Sequence, residues 1–310
     1  MTKIMEFKTI DELNNLAGYE ELKHPLIAIM DLSKMKYSKD MESVKFVTNF
    51  YSVFFKSGCL GGAIYGRKHY DFSTGVMTFF GANQSVTIEN ISNSNNMKGW
   101  GLFFHPDLIR RTPLYKKIKK YGFFSYALNE ALHLSEREKE TIDKIRMEIE
   151  FELNSNFDGH SHELIISHLE LLLNYSNRFY GRQFITRKNL NKDTVEKLED
   201  FLEERINSPE LKAKGLPTVK ECGEEMCLSS NYLSDLLKKE TGKNTQEYIH
   251  LYLIDRAKNM LLNTNDSINE IAYDLGFEYP DYFSKLFKKK TGVSPGNFRK
   301  DIGREDVRLD

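Results

Sequence analysis

The sequence predicts an α+β chain in two parts, an N-terminal β-barrel with trailing helices and an all-α C-terminal third built from two helix-turn-helix units in tandem. Three observations predict it. The run YLSDLLKKETG, starting at Tyr232, returns fifty residues later as YFSKLFKKKTG, starting at Tyr282, with seven of eleven positions identical; unrelated stretches of average composition would share about one. Short runs of strand character recur between residues 25 and 105. The length of 310 residues is enough for two domains.

The strand-like runs are NFYSVFFKSG, GGAIYGRKHYDF, GVMTFFGANQ, SVTIEN and GWGLFFH, each bounded by Gly, Asn or Ser. In the last, Trp100, Leu102 and Phe104 alternate and so point one way. Spacing of about ten residues predicts a small barrel or a folded sandwich over residues 25–105. Its aromatic residues have two readings. Tyr65, Phe79 and Trp100, with Tyr70, Phe72 and Phe80 nearby, would line a small-ligand pocket or form plain core.

Catalysis finds little support in this half. A metal-dependent barrel needs two or three histidines with a carboxylate, whereas the strands offer His69 and Glu89, with His24 and His105 near their ends. His160, His162 and His168, beside Asp158 and Glu163, read as a solvated first turn of a helix. No GxSxG, Walker or Rossmann glycine pattern occurs. No catalytic residue, metal site or cofactor is therefore assigned, and the chain is not expected to be an enzyme.

Two helices are expected next, within residues 135–180. The first is Ser135 to Asn154, opened by a capping box of Ser135 and Glu138. The second runs from about Asp158 to Tyr180, with Leu164, Ile165, His168, Leu169, Leu172 and Tyr175 as its stripe. The polar, poorly periodic RQFITRKNLNKD, residues 182–193, reads as a linker. It separates a first domain, residues 1–181, from a second, residues 194–302.

In each copy of the repeat a short helical pattern precedes a break. Ile271, Ala272 and Leu275 face a partner helix, Gly276 and Phe277 break the pattern, and Phe283, Leu286 and Phe287 resume it. The first copy matches with Cys222, Gly223 and Met226, a break at Cys227 and Leu228, then Leu233, Leu236 and Leu237. The units span residues 218–242 and 267–292. A small residue, Gly223 or Ala272, lets the two helices cross closely, and the outer face of the second helix stays free to enter a major groove. Gln246 to Asn263, with Ile249, Leu253, Ala257, Met260 and Leu261 on one stripe, reads as a bracing helix.

From about Val195 to Lys300 the chain resembles the DNA-binding domain of the AraC/XylS family of bacterial transcription regulators, most clearly in IAYDLGF, YFSKLFKKKTG and SPGNFR. The resemblance implies two reading helices in adjacent major-groove segments of promoter DNA. Carried onto this sequence, the base-facing positions are Asn231, Ser234 and Asp235 in the first helix and Pro280, Asp281, Ser284 and Lys285 in the second. Lys285 can donate to guanine, Asn231 can pair with adenine, and Asp235 and Asp281 can only accept. Lys238, Lys239, Lys288 and Lys289 suit phosphates. The resemblance further implies a cupin-like sensor barrel in the first domain, a homodimer formed through its trailing helices, contact with RNA polymerase and a small-molecule effector. A ligand-independent DNA-binding protein, or a cupin-type enzyme fused to a DNA-binding domain, are the alternatives. Three residues depart from the family pattern: Asp235 where relatives carry a base, Leu253 in LIDRA where they carry Arg, and Cys227 where the second copy has Gly276, which implies strain or another turn geometry.

Charge gives no overall sign of a nucleic-acid binder, the formal net being −1. Residues 192–310 hold 19 basic and 23 acidic side chains, a net of −4. Position matters more, because Lys285 to Lys300 holds six basic residues and no acid. Cys59, Cys222 and Cys227 form no even framework, and buried reduced thiols are expected for the last two, in a cytoplasmic protein. No secretory segment or membrane-length apolar run is read in the sequence.

Overall fold

The computed structural model describes residues 4–19, 22–34, 44–57, 64–65, 68–69, 75–87, 98–127, 130–208, 211 and 215–305. The chain forms two compact units, Met1–Thr186 and Arg187–Asp310.

In the first unit a sheet of five antiparallel strands runs in the order β10 (Leu132–His133), β7 (Val76–Phe80), β4 (Tyr51–Ser57), β9 (Lys98–Phe104), β2 (Ile27–Asp31). A smaller sheet holds β1 (Ile4–Phe7), β3 (Lys45–Thr48) and β8 (Ser85–Thr87), with β1 parallel to β3. Strands β5 (Ile64–Tyr65) and β6 (Lys68–His69) pair with each other. Among the described residues no pairing joins β10 to β2, so the large sheet is open and the closed barrel expected over residues 25–105 is not formed.

Covering on both faces explains the open sheet. Ala28, Met30 and Phe103 look toward Phe7, Ile10, Phe46 and Phe50 of the small sheet, its helix α1 (Ile10–Ala17) and adjoining loops. The alternate residues look the other way: Phe79 meets Phe123 with ring centroids 4.5 Å apart, and Tyr51 meets Phe124 at 5.0 Å. Strand β9 is accordingly buried without a break from Trp100 to Phe104, the pattern of a strand covered twice. Two separate covers replace the self-closure that a one-faced sheet would need.

Helix α4 (Glu136–Asn154) opens on the expected capping box, with the Ser135 amide donating to Glu138 at 2.8 Å. Helix α5 (Ser161–Thr186) runs on through residues expected in the linker, and α6 (Lys188–Asn207) takes up most of the rest. The division between the units, at 186/187, falls inside the stretch read as a linker, and the polarity of its first residues has a cause in the first unit. The buried Gln183 side chain accepts from the His133 amide at 2.8 Å and donates to the Ala131 carbonyl at 3.2 Å, serving the edge strand β10. Arg182 donates to Glu138 at 3.0 Å and to the His133 carbonyl at 2.7 Å.

Among the described residues the second unit is all helix: α6, α7 (Val219–Glu225), α8 (Ser230–Thr241), α9 (Thr245–Asn263), α10 (Ile268–Asp274), α11 (Pro280–Thr291) and α12 (Pro295–Glu305). Thr218 with Glu221, Asn244 with Glu247 and Ser267 with Glu270 form capping boxes that fix where α7, α9 and α10 begin. One core joins the elements, with Leu198 and Leu202 of α6, Leu233 and Leu237 of α8, Leu253 and Ala257 of α9, Ile271 of α10, and Phe283 and Phe287 of α11. Leu253, one of the family departures, is fully buried there, so that position is part of the core.

Candidate nucleic-acid interface

Each repeat copy folds as a helix, a tight turn and a second helix, and the two turns carry the same hydrogen bonds. In the first, the Leu228 amide donates to the Gly223 carbonyl at 2.9 Å and the Cys227 amide to Glu224 at 3.1 Å. In the second, Phe277 donates to Ala272 at 3.0 Å and Gly276 to Tyr273 at 2.9 Å. Both are Schellman closures, which need a left-handed residue just past the helix. Gly276 supplies it with φ 83° and Cys227 with φ 54°, so the cysteine keeps the turn geometry and carries the strain. A Cβ on Gly223 would lie 2.8 Å from the Leu228 carbonyl oxygen, which is why the first copy needs glycine at the crossing.

The second helices, α8 and α11, bury their apolar side and leave a polar side exposed. On α8 this side carries Asn231, Lys238 and Lys239, with Asp235 half-buried. On α11 it carries Asp281, Lys285, Lys288 and Lys289, with Pro280 and Ser284 half-buried. The paired lysines lie in the last turn of each helix, where their charge complements the helix dipole. The first copy thus presents an acid at the repeat position where the second presents Lys285.

The two serines part company. The Ser234 hydroxyl shares a 3.0 Å hydrogen bond with Thr245, a fully buried residue at the start of α9. This ties the helix to its brace and gives the Ser234 hydroxyl a partner within the domain. The counterpart of Thr245 in the second copy is Pro295, which offers no hydroxyl to Ser284.

Two features escape apolar periodicity. Tyr279 and Tyr282, at the entry to α11, are 63% and 50% exposed. Arg299, the last residue of the SPGNFR run, donates from Nε to the Leu261 carbonyl at 3.0 Å and from Nη1 to the Asp266 carbonyl at 2.8 Å. It therefore clamps the end of α9 to the loop leading to α10.

One cysteine meets expectation and one does not. Cys222 is buried, and burial with the nearby Glu221 charge pushes its thiol up to about 12, so it stays protonated. Cys227 is exposed at the turn, and Cys59 lies outside the described residues.

In the first unit, Phe79 borders a cavity of about 10 Å³ together with Phe123, Tyr126 and Tyr180, room for about one water molecule. Trp100 is buried and stacks on Phe55 with centroids 5.9 Å apart, away from that cavity. The Tyr65 side chain lies outside the described residues, as do Tyr70, Phe72, Glu89 and the side chain of His69. His162 is exposed, but its Nε2 lies 3.0 Å from the Leu108 carbonyl. Among the described residues no group of three His, Cys, Asp or Glu side chains could hold a metal, and no helix is long and apolar enough to cross a membrane.

Residues 222–301 match the family model described as a helix-turn-helix domain. The chain is 31% identical over 111 residues to the uncharacterized transcriptional regulatory protein YesN of Bacillus subtilis, covering 35% of this chain and 29% of that protein. It is 37% identical over 84 residues to the Msm operon regulatory protein of Streptococcus mutans, covering 27% of this chain and 30% of that one. A solved C-terminal domain of the response regulator yesN from Fusobacterium nucleatum shares 32% identity, with a TM-score of 0.28, over 32% of this chain and 95% of that domain. The chain thus spans about a third of the length of these curated relatives. With its doubled turn and this match, the C-terminal unit is a helix-turn-helix domain of the AraC/XylS type.

Proposed function

We propose that this chain is a sequence-specific, DNA-binding transcription regulator that places α8 and α11 in successive major-groove segments of promoter DNA. The observation that carries the reading is the doubled Schellman turn, which twice holds a second helix with its apolar side buried and a polar side exposed. One such hairpin is common in helical proteins; a fifty-residue repeat of it around a single bracing helix is the arrangement that addresses two groove segments about one helical turn apart. The second copy of the repeat supplies most of the attraction to DNA, through Lys285, Lys288 and Lys289. The first unit of the chain serves as the regulatory part, in a homodimer that touches RNA polymerase and responds to a small-molecule effector.

Selection of sites by the full chain from a random duplex pool tests the reading. Two enriched blocks about ten base pairs apart are expected; no enrichment at low salt, with or without candidate metabolites, would overturn it. Ligand-independent binding is the second reading. An affinity unchanged by every metabolite tried would select it.

A further inference from the structure

The repeat lets each position of one unit be compared with its counterpart in the other, and the units differ sharply where the reading helices begin. Helix α8 is opened by the half-buried Ser229, whose Oγ accepts from the Tyr232 amide at 3.2 Å. Tyr232 itself is 4% exposed. Helix α11 is opened by Tyr279, which makes no side-chain cap and is 63% exposed. It is the most exposed aromatic residue among the described residues of the C-terminal unit, and Tyr282, the counterpart of Tyr232, is 50% exposed beside it.

A tyrosine at this position is locally unfavourable twice over. It gives up the side-chain oxygen that satisfies one of the first helical amides, and it leaves a large apolar ring in water. Both losses fall at the helix end that enters the groove in a helix-turn-helix, next to Pro280 and Asp281. The Tyr279 hydroxyl donates to the carboxylate of Glu278, whose charge also raises the phenol above its usual range. That carboxylate would repel a phosphate, so what Tyr279 offers DNA is its ring. In the major groove the one apolar feature of the bases is the thymine methyl group.

We propose that Tyr279 is a specificity-determining residue whose ring packs against a thymine methyl in the block read by α11. The proposal rests on the DNA-binding reading above. Its test takes the full chain and the selected duplex, and replaces each thymine of that block singly by deoxyuridine, which removes the methyl and keeps the hydrogen-bonding edge. Affinities are measured for the wild type, Tyr279→Phe and Tyr279→Ser. One replacement is expected to weaken the wild type and Tyr279→Phe by about four-fold, the worth of one buried methyl group, and to leave Tyr279→Ser unchanged. Tyr279→Ser restores the capping residue of the first copy, so its melting temperature should equal or exceed the wild-type value, which separates a lost contact from a lost fold. A block without thymine, a wild type indifferent to every replacement, or equal sensitivity in Tyr279→Ser overturns the proposal and leaves the DNA-binding reading standing. Failure to select any duplex overturns that reading, and the proposal with it.

Discussion

Ser234 and Thr245 join the first reading helix to the bracing helix through a 3.0 Å hydrogen bond between their hydroxyls, and the second copy, with Ser284 and Pro295 at the same places, has no such bond. Identical residues in a repeat have therefore taken different work. Ser234→Ala should destabilise the protein by about 1 kcal/mol, since it leaves the buried Thr245 hydroxyl unpaired, and should not alter the selected site. Ser284→Ala should do the reverse. Denaturant unfolding and site selection on both variants check the pair; a changed site with Ser234→Ala would mean that Ser234 reads a base as well as bracing the helix.

The turn residues give a second prediction. Cys227 holds φ 54° with a side chain that the left-handed region disfavours, so Cys227→Gly should stabilise the protein by about 1 kcal/mol. Gly276→Ala should destabilise by about 1 to 2 kcal/mol. Besides the left-handed angle of 83°, its new Cβ would lie 2.9 Å from the Leu211 side chain. Thermal unfolding of the two variants settles the signs, and equal effects would mean that the turns are not equivalent.

The lysines of α11 can be separated by salt. Lys285→Ala should weaken the best site by about 1 to 3 kcal/mol and relax preference at one base pair. Lys288→Ala and Lys289→Ala should weaken all sequences alike, each reducing the slope of log affinity against log salt by about 0.9. A Lys285→Ala variant that loses affinity for every sequence equally would make Lys285 a phosphate contact. If Asp235→Ala leaves the selected sequence unchanged, the first helix reads no base at that position.

What could be read from the sequence divides along physical lines. The repeat was legible because Leu236 and Leu286, or Gly242 and Gly292, recur at a fixed interval and meet the same local demands: burial on one face and a left-handed helix end. The individual strands were legible from aromatic and β-branched runs bounded by Gly, Asn or Ser. Sheet closure was not, because it depends on which distant strands pair, and Phe123 with Tyr180 of α5 covers one face of the large sheet. Gln183 and Arg182 looked like linker because polarity along the chain does not reveal a backbone edge fifty residues away that needs polar partners. Tyr279 lies outside the helical register, so a pattern of apolar residues has no place for it.

His250 on α9 provides a pH test of the phosphate contacts. Burial lowers its pKa first, the charges of Lys290 and Lys289 lower it further, and Glu247 opposes them. In the free protein the imidazole is thus neutral at pH 7, and its contribution to folding is present above 6.5, the ordinary value, and lost as pH falls through the depressed one. A phosphate bound at Lys289 offsets part of the positive charge that repels the imidazolium, so the His250 pKa rises on DNA binding. A group whose pKa is higher in the complex takes up a proton when the complex forms, and affinity must then increase as pH falls below the ordinary value. The expected result, measured at temperatures where the free protein stays folded, is tighter binding at acidic than at neutral pH, with the difference absent in His250→Gln. Calorimetry in two buffers of different ionisation enthalpy should show net proton uptake by the wild type alone. A pH slope that survives His250→Gln would place the proton elsewhere, and no slope at all would mean that Lys289 and Lys290 stay clear of the backbone.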